Sequence, residues 1–332
     1  MMITGMLGYI GTVLAKELLG RGHSVFGIDS LIYEQDYAKT LQQLPSDQRR
    51  LNFEILDTRN IAEIKRKIDI NRPDVLVHLG DLSSVYACNH NPKYTKDVGV
   101  ESTKAILAEC HLRGIPFVYN SSSSVYGVFK DKGLATEETP LPEPTDLYTT
   151  TKLEIESFLH QLRICKESNF ICFRPATVFG VSPRFRVELL PNHFAFSGVS
   201  RKLIRVSNLN AYRAFISVSD LASIYVDVLE ANFFPGEIFN IGAYNLSKLQ
   251  VALAVQNNVE CKIETMDDIG DMRNLQIDSS RFFDAFKQYN FDGFENKIKE
   301  LVNWLKDNHS EMEDTNFVGL LNMPLANWRS IL

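Results

Sequence analysis

The sequence contains few cysteines, and they follow no pattern. Among its 332 residues there are five, at positions 88, 110, 165, 172 and 261, and no two of them form a Cys-x-x-Cys pair. This scatter is unlike a disulfide framework or a zinc site and favours buried free thiols in a reducing compartment. The histidines show no metal-ligand spacing either. We therefore expect no metal ion.

Long apolar runs and a net positive charge are absent as well. No stretch reaches the roughly 18 uncharged apolar residues of a membrane span, and the first residues lack the basic start and cleavage site of a secretion signal. The sequence therefore predicts a cytoplasmic protein without a membrane span. With 35 Lys and Arg against 41 Asp and Glu, the net charge is -6. That balance argues against a nucleic-acid binder but allows a local basic pocket for an anionic small molecule.

Short apolar runs alternate with amphipathic stretches in the first half of the chain. The runs that resemble buried strands are residues 24–28, 52–56, 75–78, 117–120 and 170–174. The stretches with apolar residues at three- and four-residue spacings are 11–21, 61–70, 94–113 and 148–165. Because a right-handed crossover between parallel strands needs a helix to return the chain, this order predicts an α/β fold with a doubly wound parallel sheet.

A glycine-rich turn joins the first apolar run to the first helix. In Ile3-Thr4-Gly5-Met6-Leu7-Gly8-Tyr9-Ile10-Gly11, the glycines permit a tight turn, a close approach of pyrophosphate and close helix packing, in that order. The next strand ends in Asp29, whose carboxylate can accept both ribose hydroxyls and repel a 2′-phosphate. We therefore predict NAD rather than NADP. The predicted cofactor residues in this region are Gly5, Gly8, Tyr9, Ile10, Gly11 and Asp29.

The alternation of strands and helices stops after Arg174. Residues 177–212 contain Pro183, Pro191 and several basic residues, and mixed signals continue from residue 246 onward, apart from a strand-like segment at 238–241. We expect an NAD-binding domain of residues 1–176 with a strand returning near 213–243. Residues 177–212 and 244–332 would form a smaller, mostly C-terminal substrate-binding lobe.

A tyrosine and a lysine share one face of the predicted helix at 148–165. Tyr148 and Lys152 are four residues apart, which is about one helical turn. A tyrosine with an ordinary pKa near 10 is a poor base at neutral pH, but a lysine and a positive nicotinamide ring both favour the phenolate. Upstream, the serines 121–124 follow the strand at 117–120, and ligands bind at such carboxyl ends of parallel strands.

Together these motifs resemble the extended short-chain dehydrogenase/reductases, the group of nucleotide-sugar epimerases, dehydratases and reductases. The resemblance extends from Ile3 to about Leu305. The other matching segments are Asp57, His78-Leu79-Gly80-Asp81, SSSSVYG, RPATVFG, YRAFISVSDLA, FNIG and DMRNLQIDSSR. It implies a Rossmann domain, with Ser122 as the catalytic serine, Tyr148 as the base and Lys152 on the nicotinamide ribose.

The resemblance also implies further binding residues and an assembly. Asp57 and Thr58 would contact adenine, whereas Leu79, Gly80 and Ser83 would line the cofactor. The substrate would be a nucleotide-diphosphate sugar, and guanidinium groups suit its phosphate oxygens. The predicted substrate-binding residues are Ser122, Ser123, Asn192, Arg213 and Arg273. In the family the two helices at 94–113 and 148–165 meet their symmetry mates, which implies a homodimer.

Two positions decide between the reactions of this group. The family's sugar 4,6-dehydratases carry Asp and Glu after the catalytic threonine, but Ser123 and Ser124 stand there in this chain. Neither serine can act as a carboxylate, so dehydration is disfavoured, and so is decarboxylation by relatives that use the Glu. The sequence therefore predicts an NAD-dependent nucleotide-sugar 4-epimerase. A 4-dehydrogenase or ketoreductase and a non-catalytic NAD-binding sensor are the alternatives.

Three further positions depart from the family's pattern. Gly99 and Thr177 stand where many members have asparagines, and Asp81 replaces the small residue at the end of a His-Leu-Ala-Ala run. A carboxylate near the nicotinamide could alter cofactor retention or contact the substrate. These departures indicate a specialised sugar.

Overall fold

The strands of the fold are short and mostly buried. The computed structural model describes residues 1–32, 37–45, 50–128, 133–164, 169–266 and 274–315. Its strands are β1 (Met2–Thr4), β2 (Val25–Asp29), β3 (Leu51–Ile55), β4 (Leu76–His78), β5 (Phe117–Asn120), β6 (Phe170–Pro175), β7 (Thr177–Phe179), β8 (Leu203–Ser207), β9 (Tyr212–Ser217), β10 (Glu237–Ile241), β11 (Tyr244–Ser247) and β12 (Lys262–Met266).

The main sheet has seven strands in the order β10-β6-β5-β4-β1-β2-β3, and every neighbouring pair is parallel. Strands β1 to β6 lie in the order β3-β2-β1-β4-β5-β6, which is the order of a doubly wound dinucleotide-binding sheet. The predicted doubly wound parallel sheet is confirmed. Each apolar run predicted as a strand forms one, with ends that differ by at most one residue.

Helices cover both faces of this sheet. The helices of the described residues are α1 (Tyr9–Gly20), α2 (Tyr37–Gln42), α3 (Ile61–Asn71), α4 (Val85–His90), α5 (Pro92–Lys96), α6 (Thr103–Leu112), α7 (Leu147–Ile164), α8 (Leu190–Arg201), α9 (Val218–Glu230), α10 (Lys248–Gln256), α11 (Ser280–Ala285) and α12 (Phe294–Thr315). Successive strand residues point to opposite faces. Thus Ile3 and Val118 pack with α1 and α9, whereas Met2 and Phe117 pack with α3, α6 and α7. No helix of the described residues is long and apolar enough to cross a membrane.

The helix predicted over residues 94–113 is interrupted. The π-helical turn Asp97–Ser102 separates α5 from α6. Two hydroxyls satisfy carbonyls five residues earlier: Ser102 Oγ donates to the oxygen of Asp97 at 2.7 Å and Thr103 Oγ1 to that of Val98 at 3.2 Å. Gly99 lies in the middle of this turn, and such turns are frequent at functional sites.

A separate core lies in the C-terminal part of the chain. It includes the buried side chains of Phe185, Phe196, Phe215 and Leu301, packed between α8, α10 and α12. The sheets here are β11-β9-β7 and β12-β8. The sequence did not reveal α8 and α9. Pro191 lies in the first turn of α8, where the missing N–H costs no hydrogen bond.

A strand of the main sheet was expected near residues 213–243, and this region contains two strands with different partners. Glu237–Ile241 joins the main sheet beside β6, and the strand predicted at 238–241 is thereby confirmed. Tyr212–Ser217 instead pairs with β7 and β11.

Candidate active site

A cavity of about 450 Å³ opens at the carboxyl ends of the main-sheet strands. Its wall includes the glycine turn after β1, the residues after β2, β4 and β5, and the start of α7. Because all these strands are parallel, their following loops meet at one edge of the sheet, which is where ligands bind in open α/β folds. The volume lies within the range of small-molecule sites.

The glycine turn places the start of α1 against this cavity. Gly5 has a positive φ of +66°, and a Cβ there would lie 2.6 Å from the carbonyl oxygen of Leu79. A Cβ on Gly11 would collide with the carbonyl oxygen of Gly5. Gly8 is the N-cap of α1 and makes no side-chain cap. The first backbone N–H groups of a 12-residue helix therefore face the cavity, as an anionic pyrophosphate requires.

Asp29 ends β2 on the cavity wall. Its carboxylate accepts hydrogen bonds from the backbone N–H groups of Leu7 at 3.0 Å and Leu31 at 2.9 Å. These two bonds fix the carboxylate beside the glycine turn. Burial raises the pKa of Asp29, an effect that the two backbone N–H groups and the positive charge of Arg184 oppose.

Most of the other predicted cofactor residues also line the cavity. These are Tyr9, Ile10, Thr58, Leu79, Gly80 and Ser83. Asp57 does not line it, although its neighbours Leu56 and Thr58 do. The Asp57 carboxylate is held instead by Arg59, whose side-chain and backbone nitrogens donate to it at 2.8 Å. Thr58 therefore lies on the cavity wall and the Asp57 carboxylate does not, and the adenine contacts stay a prediction.

Ser122 and Tyr148 lie on the cavity wall on different elements. Ser122 caps the 3₁₀ turn Ser123–Tyr126 after β5, and its Oγ accepts a hydrogen bond from the N–H of Ser124 at 3.1 Å. Tyr148 lies in the first turn of α7, which Asp146 fixes by accepting hydrogen bonds from the N–H and Oγ1 of Thr149. Capping therefore fixes the Ser122 side chain and the helical turn that carries Tyr148.

Lys152 lies one turn after Tyr148 and is almost fully buried. Its Nζ donates to Asp81 Oδ2 and to the backbone oxygen of Asn120, both at 2.8 Å. The ammonium lies 5.6 Å from the ring centroid of Tyr148 and 4.9 Å from that of Tyr119. Burial alone would lower the pKa of Lys152, but Asp81 and the two tyrosines outweigh burial and raise it well above its ordinary value. Lys152 is therefore charged at neutral pH.

His78 lies directly behind this group and is a packed, neutral residue. Its ring nitrogens contact the hydroxyls of Thr4 at 2.8 Å and Thr103 at 2.9 Å. Burial lowers its pKa to about 4. No group of three or more His, Cys, Asp or Glu side chains within the described ranges is arranged to hold a metal ion.

The predicted substrate residues have different positions. Ser123 and Arg213 line the cavity, and Arg213 is held by a hydrogen bond from its Nη1 to the oxygen of Tyr212 at 2.7 Å. Asn192 is fully buried behind the wall. Its amide nitrogen donates hydrogen bonds to the hydroxyl of Tyr9 and the oxygen of Arg186, and its amide oxygen accepts one from the N–H of Gly180. Asn192 is therefore not among the residues that line the cavity, and its contact with a diphosphate stays a prediction. The predicted residue Arg273 lies outside the described residues.

A segment for which the sequence predicted no regular structure lies along the cavity wall. We call residues 180–190 the strap. At one end Ser182 Oγ donates to the oxygen of Tyr9 at 2.8 Å, and the hydroxyl of Tyr9 donates to the oxygen of Gly180 at 2.8 Å. At the other end the Arg186 guanidinium donates to Oγ and to the backbone oxygen of Ser83, at 3.0 and 3.2 Å. The strap thus connects the glycine turn with the loop after β4.

A buried ion pair lies beneath the serine segment. The guanidinium of Arg174 donates to both carboxylate oxygens of Glu156, at 3.0 and 2.7 Å, and each side chain is only 5% exposed. Ser121 Oγ donates to the same carboxylate at 2.5 Å. Arg174 also donates to the hydroxyl of Tyr126 at 2.9 Å. No spacing in the sequence links these residues, which come from β6, α7 and the segment after β5.

A glycine turn, a carboxylate after β2, and a Tyr-Lys pair at one cavity define a dinucleotide-dependent enzyme of the short-chain dehydrogenase/reductase type. The model of the NAD dependent epimerase/dehydratase family matches residues 1–242, and the chain belongs to this family. The predicted family, the class of enzyme and NAD as the cofactor are thereby confirmed. The cavity fits that cofactor, because the uncapped start of α1 offers backbone N–H groups to phosphates and Asp29 offers acceptors to a ribose.

Different relatives are named for different reactions. The protein YtcB of Bacillus subtilis (strain 168), described as an uncharacterized UDP-glucose epimerase, is 29% identical over 77% of this chain and 81% of its own length. The UDP-glucose 4-epimerase of Thermus thermophilus, solved with NAD, superimposes with a TM-score of 0.76 at 21% identity, covering 91% of this chain and 97% of that one. The dTDP-glucose 4,6-dehydratase DesIV of Streptomyces venezuelae superimposes with a TM-score of 0.81 at 20% identity, covering 93% and 98%. At this identity the superpositions show the fold alone.

Proposed function

We propose that the protein is an NAD-dependent nucleotide-sugar 4-epimerase. The observation that carries the proposal is the set of side chains at the serine end of the cavity. Ser122 and Tyr148 line it, and Lys152 lies directly behind Tyr148. The two residues after Ser122 are serines, where the dehydratases that this chain resembles have an acid and a base. This set therefore suits oxidation and reduction of a hydroxyl and lacks the carboxylates that dehydration needs.

Each of these side chains has one task in the proposed reaction. When bound, NAD supplies the acceptor and later the donor of a hydride at carbon 4 of the sugar. Tyr148 accepts the proton of the 4-hydroxyl during oxidation and returns it during reduction. Ser122 hydrogen-bonds the same oxygen and stabilises the charge that develops there. Lys152 Nζ donates to Asp81 and to the oxygen of Asn120, and its third N–H would bind the nicotinamide ribose. Arg213, which lines the same cavity, would offer a guanidinium to the diphosphate.

The strap supports epimerisation over a reaction that releases an oxidised sugar. An epimerase must return its hydride before the keto sugar escapes, so the cofactor has to stay bound throughout turnover. The strap ties the glycine turn to the Ser83 loop through Ser182 and Arg186. A cofactor lying along the cavity would therefore be enclosed by these contacts.

We predict that turnover changes the sugar's configuration without net NADH. A panel of nucleotide-diphosphate sugars would be incubated with the enzyme in deuterated water, with mass spectrometry and proton NMR of the products and NADH absorbance followed in parallel. Direct hydride return leaves the carbon-bound hydrogens unexchanged, so the product should have an unchanged mass and an inverted carbon 4. The Tyr148→Phe variant is the matched control for activity of contaminating enzymes.

Other outcomes of the same experiment would point to the alternative reactions. NADH formed in proportion to a 4-keto product would indicate a dehydrogenase. Loss of water, or deuterium at carbon 3 or carbon 5, would indicate dehydration or enolisation and would refute the 4-epimerase. Binding of NAD without turnover of any sugar would leave the non-catalytic sensor, a role in which Tyr148 and Lys152 have no use.

We also predict that the protein binds NAD at least about tenfold more tightly than NADP. The Asp29 carboxylate would lie against the adenosine ribose, where a 2′-phosphate meets like charge. Calorimetric titration with both dinucleotides measures the difference, and Asp29→Asn should reduce it because the amide carries no charge. Equal or tighter binding of NADP by the unaltered protein would contradict the assignment. In that case Arg184, whose charge already acts on Asp29, would be the first residue to test.

The homodimer and the cytoplasmic location stay predictions. Light scattering of the purified protein measures the first, and a single monomeric mass at micromolar concentration would refute it.

A further inference from the structure

Asp81 introduces a buried negative charge next to the Tyr-Lys pair. Its Oδ2 accepts a hydrogen bond from Lys152 Nζ at 2.8 Å, and the side chains of Asp81 and Lys152 are 7% and 4% exposed. Asp81 Oδ1 is buried and has no hydrogen-bond partner in the described part of the chain. An ammonium has three donors, and Asp81 and the oxygen of Asn120 take two of them. The carboxylate therefore determines where the lysine head group lies.

Gly99 provides the space that the Asp81 carboxylate occupies. A Cβ on Gly99 would lie 2.9 Å from Asp81 Oδ1 and 3.3 Å from Cβ of Thr151. A side chain at position 99 would therefore displace the carboxylate. Two of the three departures noted in the sequence, Asp81 and Gly99, are thus one structural exchange, in which a carboxylate from the loop after β4 replaces a side chain on the π-helical turn.

The charges around this group leave Asp81 and Lys152 as its ionised pair. Tyr119 of β5 and Tyr225 of α9 are buried, and burial raises the pKa of each above its ordinary range. Burial likewise raises the pKa of Cys88 to about 12 and that of Cys172 well above its ordinary value, and it lowers that of His78 to about 4. All five are therefore neutral near pH 7. Tyr148 of α7 also faces Lys152.

We propose that Asp81 is a positioning residue that makes the protein favour oxidised NAD over NADH. This proposal rests on the proposed function, which puts the nicotinamide beside Tyr148 and Lys152. The oxidised ring carries a positive charge and the reduced ring does not. Without Asp81, the buried Lys152 ammonium would repel the oxidised ring. With Asp81, the pair is close to neutral and the ring sees no net repulsion. The resting enzyme is thereby kept in the oxidised form from which epimerisation starts.

Two variants test the proposal by dinucleotide binding, with no sugar present. Asp81→Asn removes the charge and keeps the shape, while the double variant Asp81→Ala/Gly99→Asn restores a small residue at 81 and an asparagine at 99. Calorimetry gives the Kd of NAD, and NADH fluorescence gives the Kd of NADH. We expect the ratio of the NADH Kd to the NAD Kd to fall about tenfold in both variants. The double variant gives the answer if the single one does not fold.

The control is Asp97→Asn, which removes the same charge from the adjacent π-helical turn. Asp97 forms an exposed ion pair with Lys93. The ratio of the NADH Kd to the NAD Kd in Asp97→Asn should therefore equal that of the unaltered protein. A merely structural role of Asp81 would weaken NAD and NADH alike and leave the ratio unchanged, which would overturn the proposal. A ratio that moves equally in Asp97→Asn would also overturn it. If the unaltered protein bound neither dinucleotide, the proposed function would fail, and this proposal with it.

Discussion

Replacing Tyr148 by phenylalanine is expected to reduce turnover by about 10³–10⁴-fold. The substitution removes the proton acceptor for the sugar hydroxyl but keeps the ring that lies 5.6 Å from Lys152. Packing at the first turn of α7 and binding of NAD should therefore be retained. The measurement is the rate on the substrate found in the product panel, together with the NAD Kd by calorimetry.

Ser122→Ala provides the matched comparison for this prediction. It removes one hydrogen bond to the reacting oxygen and also the cap on Ser124, and we expect it to cost about 10²–10³ in rate. Tyr148→Phe should thus be the more damaging of the two. Near-normal turnover by Tyr148→Phe would show that another group is the base, and the proposed mechanism would be wrong.

The largest expected effect on stability comes from the ion pair between Glu156 and Arg174. Glu156→Gln leaves the Arg174 guanidinium buried without a countercharge, because Glu156 is the acid within salt-bridge distance of it in the described structure. Loss of one partner from a buried pair typically lowers the free energy of unfolding by about 3–5 kcal/mol. Denaturant unfolding monitored by circular dichroism measures the change.

Two further variants separate the lost charge balance from lost packing. Glu156→Leu/Arg174→Met removes both charges and should recover most of the stability, since apolar side chains of similar volume often replace a buried pair at little cost. Asp97→Asn breaks an exposed pair with Lys93 and should change the free energy of unfolding by less than about 1 kcal/mol. If Glu156→Gln were as mild as Asp97→Asn, the pair would not support the serine segment as described.

The features whose positions the sequence predicted are those that depend on local geometry. Gly5 is needed because the backbone there has a positive φ and passes close to Leu79, a requirement that only glycine meets easily. Tyr148 and Lys152 face one way because helical periodicity puts residues four apart on one side. The same reasoning predicted the strands of the main sheet, since buried strands are short apolar runs.

The residues whose positions the sequence did not anticipate depend on distant contacts. Asn192 is the clearest case, because its amide is used by Tyr9 and Gly180 and does not reach the cavity. Asp57 is held by Arg59 and does not line the cavity wall. The strap lies in a segment without periodic signal, so only its hydrogen bonds to Ser83 and Tyr9 reveal it.

The sequence by itself determined the doubly wound sheet, the glycine turn, the serine segment and the Tyr-Lys pair, because turn geometry and the periods of strands and helices act within a few neighbouring residues. Only the tertiary structure decided that Asp81 accepts a hydrogen bond from the Lys152 ammonium and that Gly99 leaves space for the Asp81 carboxylate. Asp81 and Lys152 are 71 residues apart in the chain. Their partnership arises because parallel strands bring the loop after β4 and the start of α7 to one edge of the sheet, and no local pattern records that meeting.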